Sequence, residues 1–175
     1  TVWDESGEHR SVTAPVSLVV SAFAPCGDVR EVLTPTLVPR EDTSLLLIDL
    51  GRGQDRLGGS VLAQVWNALG SISPDVAPED VISFFELLSE LKKREWLLAY
   101  HDRSDGGLLV TALEMAFAGR CGLDIDIDVD LQQAAARLFS EEVGALIQVD
   151  DKQVSEVMAL AAQSGLKGAV SLVGK

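Results

Sequence analysis

Histidine and cysteine are scarce in this chain, with two of each among 175 residues. Cys26 and Cys121 lie far apart and make no CxxC pair, and neither has the neighbours of a catalytic thiol. Two free thiols of a reducing cytosol, buried and structural, are expected. His9 and His101 are the only imidazoles, and His9 falls in a polar N-terminal stretch with no chemical role in view. No Ser-His-Asp nucleophile can be assembled from so little. Aromatic residues make up only 5% against 47% hydrophobic overall, so the core must be built of Leu, Val, Ile and Ala. Basic residues are also short: 14 Lys and Arg face 27 Asp and Glu, for a net charge of −13. Repulsion therefore argues against non-specific binding to nucleic acid or to an anionic membrane. Apolar runs such as SLLLI (44–48) are strand-sized, far short of a bilayer span, and no targeting segment is visible. Internal repeats and low-complexity segments are missing too.

What is present reads as alternating elements around one core, as expected for this length. The first fourteen residues, TVWDESGEHRSVTA, are polar and suggest an arm or interdomain segment over 1–14, with a single domain over 15–175. VSLVVSAFA (16–24) has the β-branched content of a strand closed by CGD. Pro35 and Pro39 allow at most a short extended piece between them. SLLLIDL (44–50) is continuously apolar, as a strand covered on both faces would be. It runs into GRGQDRLGGS (51–60) and then VLAQVWNALG (61–70), where Leu62, Val65, Trp66 and Leu69 recur at helical spacing. Pro78, Glu79 and Asp80 suit a first helical turn, and Val81, Phe84, Phe85, Leu88 and Leu91 continue an amphipathic helix to about Arg94. WLLAY (96–100) is a short buried strand, followed by HDRSDGG (101–107) and an apolar helix over 108–119. LDIDIDV (123–129) alternates as a half-exposed strand would, with its carboxylates on a solvated face rather than gathered for a metal. LQQAAARLFSE is a helix, with SEE (140–142) at its exposed end. ALIQV is a strand, 152–165 a helix stopped by Gly165, and AVSLV a last strand. The expected class is α/β, an α+β layered domain with helices packed on a mixed sheet.

Two loops carry candidate chemistry. In GRGQDRLGGS, glycines 51, 53, 58 and 59 permit close backbone approach, and the following helix offers a positive N-terminus. Arg52 and Arg56 add charge suited to a phosphate. The loop matches neither the Walker A pattern nor GxGxxG, and phosphate contact competes with a plain strand-to-helix turn. HDRSDGG gathers polar groups where a buried strand hands over to a helix, the place where ligands sit in open α/β sheets. Asp102 and Asp105 are hard oxygen ligands suited to Mg²⁺, Ser104 suits a phosphate oxygen, and Gly106 and Gly107 allow close approach. The plainer alternative has Asp105 capping the helix while His101 and Arg103 make surface pairs. Glu114 is expected on the polar stripe of its helix. One segment cannot complete a magnesium site, so further carboxylates must come from elsewhere.

LLAYHDRSDGGLLVTALEMAFAGRCGLDIDID resembles the second AIR synthase-type C-terminal domain of the large phosphoribosylformylglycinamidine synthases. TAPVSLVVSAFAP, DVR, LTPTL, LLLIDLGRGQDRLGGSVLAQV and ARLFSEEVGALIQV extend the likeness, in one order, over nearly the whole chain. The resemblance implies an AIR synthase C-terminal-domain fold within a cytoplasmic, multidomain enzyme of purine biosynthesis. Such an enzyme uses ATP and glutamine to convert formylglycinamide ribonucleotide to its amidine. ATP activates the formamide oxygen as an iminophosphate, and ammonia from a glutaminase domain displaces phosphate. This half of the synthetase core is similar to a site holding a structural nucleotide with Mg²⁺. Carried over by motif, Asp102 is a Mg²⁺ ligand and Ser104 a nucleotide contact. Gly58 and Gly59 remain nucleotide-binding candidates by inference, and no catalytic residue is implied. ATP or ADP and Mg²⁺ would be completed by an N-terminal-type partner domain that this sequence lacks, as it lacks a glutaminase Cys–His pair. The 175 residues are therefore expected to be one domain of the enzyme, inactive alone. The competing expectation is a non-catalytic scaffold making interdomain contacts without its own ligand.

Overall fold

The computed structural model describes residues 2–11 and 18–175 and divides into two compact units, Thr1–Val32 and Leu33–Lys175. In the first unit, β1 (Val2–Glu5) pairs antiparallel with β2 (Glu8–Ser11), Trp3 opposite Arg10. Ser6 and Gly7 make the turn with φ of 54° and 83°, the pair of positive values that matches the twist of a two-residue hairpin. The strand expected over 16–24 is not found over 18–24, which carries no regular structure and is exposed, Phe23 at 96%; residues 16 and 17 lie outside the described residues. β-branched content favours a strand only where a neighbouring edge takes up its backbone groups. A 3-10 turn follows at Val29–Glu31, opened by the Asp28 carboxylate accepting from the Arg30 amide. Cys26 is exposed, against the expectation of a buried thiol.

The second unit contains β3 (Thr43–Asp49), α1 (Val61–Val65), α2 (Pro78–Lys93), β4 (Ala99–Asp102), α3 (Gly107–Gly119), α4 (Leu131–Phe139), β5 (Gly144–Asp150), α5 (Val154–Gln163) and β6 (Val170–Gly174). Its sheet has the order β4-β5-β3-β6. The layered α/β class is as expected. The sheet, expected to be mixed, is instead antiparallel in all three pairings. β3 and β4 run the same way across α2, but β5 is inserted between them. The result is a split βαβ arrangement.

β3 is buried along its whole length because both faces of the sheet are covered. Leu46 and Ile48 meet Phe84, Leu87 and Leu91 of α2 and Val157 and Ala161 of α5 on one face. Leu45 and Leu47 meet Leu108, Ala112 and Met115 of α3 on the other. Each Leu, Ile, Val, Phe or Met among them contributes about 1.5–3 kcal/mol when removed from water, which is why SLLLIDL shows no polar alternation. α2 begins with Pro78 at its first turn, with Glu79 and Asp80 beside the positive end and Lys92 and Lys93 at the negative end.

Three elements differ from expectation. Residues 61–70 form a helix only to Val65, and Val65, Trp66 and Leu69 are exposed rather than packed. The Gly58 and Gly59 amides take the carbonyls of Ile72 and Leu69, folding the chain back before the helix can lengthen. The strand expected at 96–100 lies at Ala99–Asp102, reaching two residues into the polar stretch. Residues 123–129 make only an isolated bridge at Ile125 with Gly174. Ile125 and Ile127 still turn toward the core, with the aspartates outward. No helix among the described residues is long and apolar enough to cross a membrane.

Candidate functional site

Asp49 ends β3 and is 4% exposed. Its carboxylate accepts from the Gly51 amide at 3.1 Å and the Gly53 amide at 2.7 Å, which shapes the start of the glycine-rich loop. It also accepts from Arg103 Nη2 at 2.5 Å and Arg137 Nη1 at 3.1 Å. Arg103, which the plainer alternative placed in a surface pair, is fully buried at its side chain and donates from Nε to the Glu142 carbonyl at 2.6 Å. SEE is corrected likewise: Ser140 and Glu142 are buried. The Glu142 carboxylate receives the Arg56 amide, Nε and Nη2 at 2.7–2.9 Å. α4 stops at Phe139, and the chain passes beneath the glycine-rich loop, where Arg56 requires a counter-ion. A side chain on Gly51 would fall 2.5 Å from Glu142.

The two glycine-rich loops, 50 residues apart in sequence, meet on one oxygen. Glu141 Oε1 accepts from the Val61 amide opening α1 and from the Gly106 amide opening α3, each at 2.9 Å. Asp49, Arg137, Glu141 and Glu142 were not singled out as a cluster from the sequence. The available signals were an acid ending an apolar strand and two acids preceding another.

Burial pulls the Asp49 carboxyl upward, but Arg103, the Gly53 amide and Arg137 outweigh it and hold the group below its ordinary 3.8. A carboxyl lowered in the folded state stabilises fully above its unfolded value and loses that contribution as pH falls through the folded value. The melting temperature should therefore drop below about pH 4, and the gap between wild type and Asp49→Asn should narrow there. A gap that stays constant across a thermal titration would refute this role.

HDRSDGG divides by orientation. Arg103 is buried, whereas Asp102, Ser104 and Asp105 are exposed. The Tyr100 hydroxyl donates to Asp102 Oδ1. Burial first, and then that bond, push the Tyr100 phenol well above its ordinary value, so it keeps its proton. His101 Nδ1 lies 2.8 Å from the Asp102 carbonyl and Nε2 3.0 Å from the exposed Glu114 carboxylate. Neither Ser104 nor Asp105 caps α3 with its side chain. Gly106, at φ 85°, is the capping residue, and the Ser104 carbonyl accepts from the Gly107 amide at 2.9 Å. Ser104 and Asp105 are thus left without the capping task that would explain them.

The other loop is engaged with itself. The Gly58 and Gly59 amides each bond a carbonyl at 2.7 Å, to Ile72 and Leu69. A side chain on Gly58 would sit 2.4 Å from Ile72 backbone, so close approach accounts for that glycine. Arg52 pairs with Asp80 at 2.7 Å and Arg56 with Glu142, so neither of the expected phosphate cations is free. Among the described residues no group of three or more His, Cys, Asp or Glu could hold a metal ion. Asp102 fits magnesium as one exposed, oriented oxygen ligand, and no more than one.

A split βαβ sheet whose strand ends carry an exposed aspartate and serine above a buried ionic cluster defines a layered α/β domain with a polar strand-end face. Residues 41–175 match the family described as AIR synthase related protein, C-terminal domain, and the chain belongs to it. Phosphoribosylformylglycinamidine synthase II of Thermotoga maritima is similar at a TM-score of 0.61 and 13% identity, over 84% of this chain and 24% of that one. T. maritima PurL complexed with ATP gives 0.59 and 13% identity over 84% and 23%. HypE of E. coli, a hydrogenase maturation protein, gives 0.54 and 22% identity over 80% and 44%. The chain thus spans about a quarter of the synthase chains and less than half of HypE.

Proposed function

We propose that this chain is the C-terminal-type domain of a phosphoribosylformylglycinamidine synthase and supplies one wall of a nucleotide–magnesium site. In this reading the protein is cytoplasmic and converts formylglycinamide ribonucleotide to its amidine with ATP and glutamine. An N-terminal-type domain would complete the site, and a glutaminase would supply ammonia. The observation that carries the proposal is the exposure of Asp102 and Ser104 while Arg103 between them is buried. That alternation aims a carboxylate and a hydroxyl outward from a rigidly held segment, with capping already provided by other groups. Asp102 would hold the magnesium, which when bound neutralises phosphate charge. Ser104 would donate to a phosphate oxygen. Gly58 and Gly59 would contribute close approach rather than N–H donation, since their amides are bonded. PurL of T. maritima is known complexed with ATP, with AMPPCP and with ADP, which supports a nucleotide as the ligand.

One observation favours a scaffold without its own ligand: Arg52, Arg56 and both glycine amides are satisfied within the domain. Asp102→Asn in the complete protein separates the two readings. We expect nucleotide recovered with the purified protein to fall at least about tenfold and the melting temperature to fall with it, because a ligand bound only by the folded form stabilises it. Unchanged nucleotide content would leave the scaffold.

A further inference from the structure

α2 packs one side against the core and leaves the other without a partner. Phe84, Leu87 and Leu91 face the sheet, and Val81 and Leu88 are packed partway against it. On the opposite side Ile82 is 60% exposed and Phe85 63%. Pro78, Ile82, Phe85, Ser89 and Lys92 are all exposed and recur at alternating steps of four and three residues. That spacing makes a straight seam along one side of a helix, suited to a second helix. The Phe85 ring stands edge-on to Phe84 with centroids 5.9 Å apart, so it is held in place before anything binds. Asp80 and Glu90 are paired with Arg52 and Arg94, whereas Glu79, Glu86, Lys92 and Lys93 make no ion pair among the described residues. Acids stand at the first turn and lysines at the last, so the face is complementary to its own reverse.

We propose that this face is a self-association surface, on which α2 lies antiparallel against α2 of a second copy of the chain. The two-fold axis passes beside Phe85, near the middle of the helix, and the same patch serves both copies. Phe85 then meets Phe85 of the second copy, and Ile82 covers its Ser89. The acidic first turn of each helix lies along Lys92 and Lys93 of the other. A parallel pairing would set acid against acid and lysine against lysine, so charge selects the antiparallel one. Glu86 opposes the contact, because it meets its own counterpart close to the axis. A 16-residue helix is only about 24 Å long. The interface is therefore at the small end, about 1,200 Å² or less, and the association is weak.

The test is sedimentation equilibrium of the complete protein in about 0.15 M salt, which screens the repulsion between two acidic copies beyond about 8 Å. A monomer–dimer equilibrium that depends on concentration is expected. Phe85→Glu should weaken it by about tenfold or more, with the melting temperature as the folding control. Lys92→Glu combined with Lys93→Glu should weaken it as well, and adding Glu79→Lys should recover part of that loss, because reversing both ends restores the match. Glu86→Gln should tighten the dimer, an effect that a partner with a basic face would reverse. A protein that stays monomeric at every concentration, or a dimer indifferent to Phe85→Glu, overturns the proposal. So does a charge reversal that gives no recovery, or a Glu86→Gln variant that associates less well than wild type.

Discussion

Arg103→Met should destabilise the domain by about 3–5 kcal/mol, the range found when one partner of a buried ion pair is removed. The guanidinium is wholly out of solvent and reaches Asp49 from Nη2 and the Glu142 carbonyl from Nε. Methionine fills much of the volume but leaves Asp49 a desolvated carboxylate with Arg137 as its remaining cation. Two consequences should appear together in urea titrations. Arg103→Lys should lie between wild type and Arg103→Met, since it keeps the charge but cannot reach both acceptors with a planar fork. Arg103→Met combined with Asp49→Asn should recover part of the loss, because the orphaned charge is then gone. Strict additivity of the two single changes would show that the pair is not coupled. Asp102 and Ser104 flank Arg103, so its bonds to Asp49 at the end of β3 and to the Glu142 carbonyl before β5 also hold both exposed residues in place.

The second large effect is expected at Gly107. Its φ is 69°, a left-handed value that costs a residue with a Cβ about 1–2 kcal/mol. A Cβ there would lie 2.6 Å from the Ser140 carbonyl oxygen and 2.7 Å from the Phe139 carbonyl carbon, both backbone atoms at the end of α4. Overpacking of that kind costs about 1–3 kcal/mol, so Gly107→Ala should lose roughly 2–5 kcal/mol in all. Gly59→Ala is the control. It has a similar φ of 77° but no atom within 4 Å of the added carbon, so it should show the conformational part alone. Equal losses at the two positions in thermal unfolding would remove the argument from close approach.

Much of the domain was legible because burial leaves a direct trace in residue order. The unbroken apolar run at 44–50 announced a strand covered on both faces, and β3 is such a strand. Pro78 with its acidic neighbours announced the start of α2, and Gly165 the end of the helix before it. Failures came where a segment's fate depends on a distant one. Residues 61–70 have helical spacing, but backbone bonds from Gly58 and Gly59 to Leu69 and Ile72 end the helix early. Residues 18–24 have the content of a strand and no ladder partner among the described residues. In the candidate loop, the concentration of polar chemistry between a strand and a helix was legible, but not which of its side chains would face water. The cluster beneath was not legible. Asp49 and Arg103 are 54 residues apart, and Arg56 and Glu142 are 86. No local pattern distinguishes a charge that will be buried against a partner from one that will face water.

By itself the sequence determined the acidic surface, the aliphatic core, the order of most strands and helices, and the segment where polar chemistry concentrates. Those are properties of neighbours along the chain. Only the tertiary structure decided that β5 inserts between β3 and β4, that Glu141 joins the two glycine-rich loops, and that Arg103 faces inward while Asp102 and Ser104 face out. Sheet order and ion pairing are settled by which distant surfaces can shed water together, and that free energy depends on proximity in space rather than along the chain.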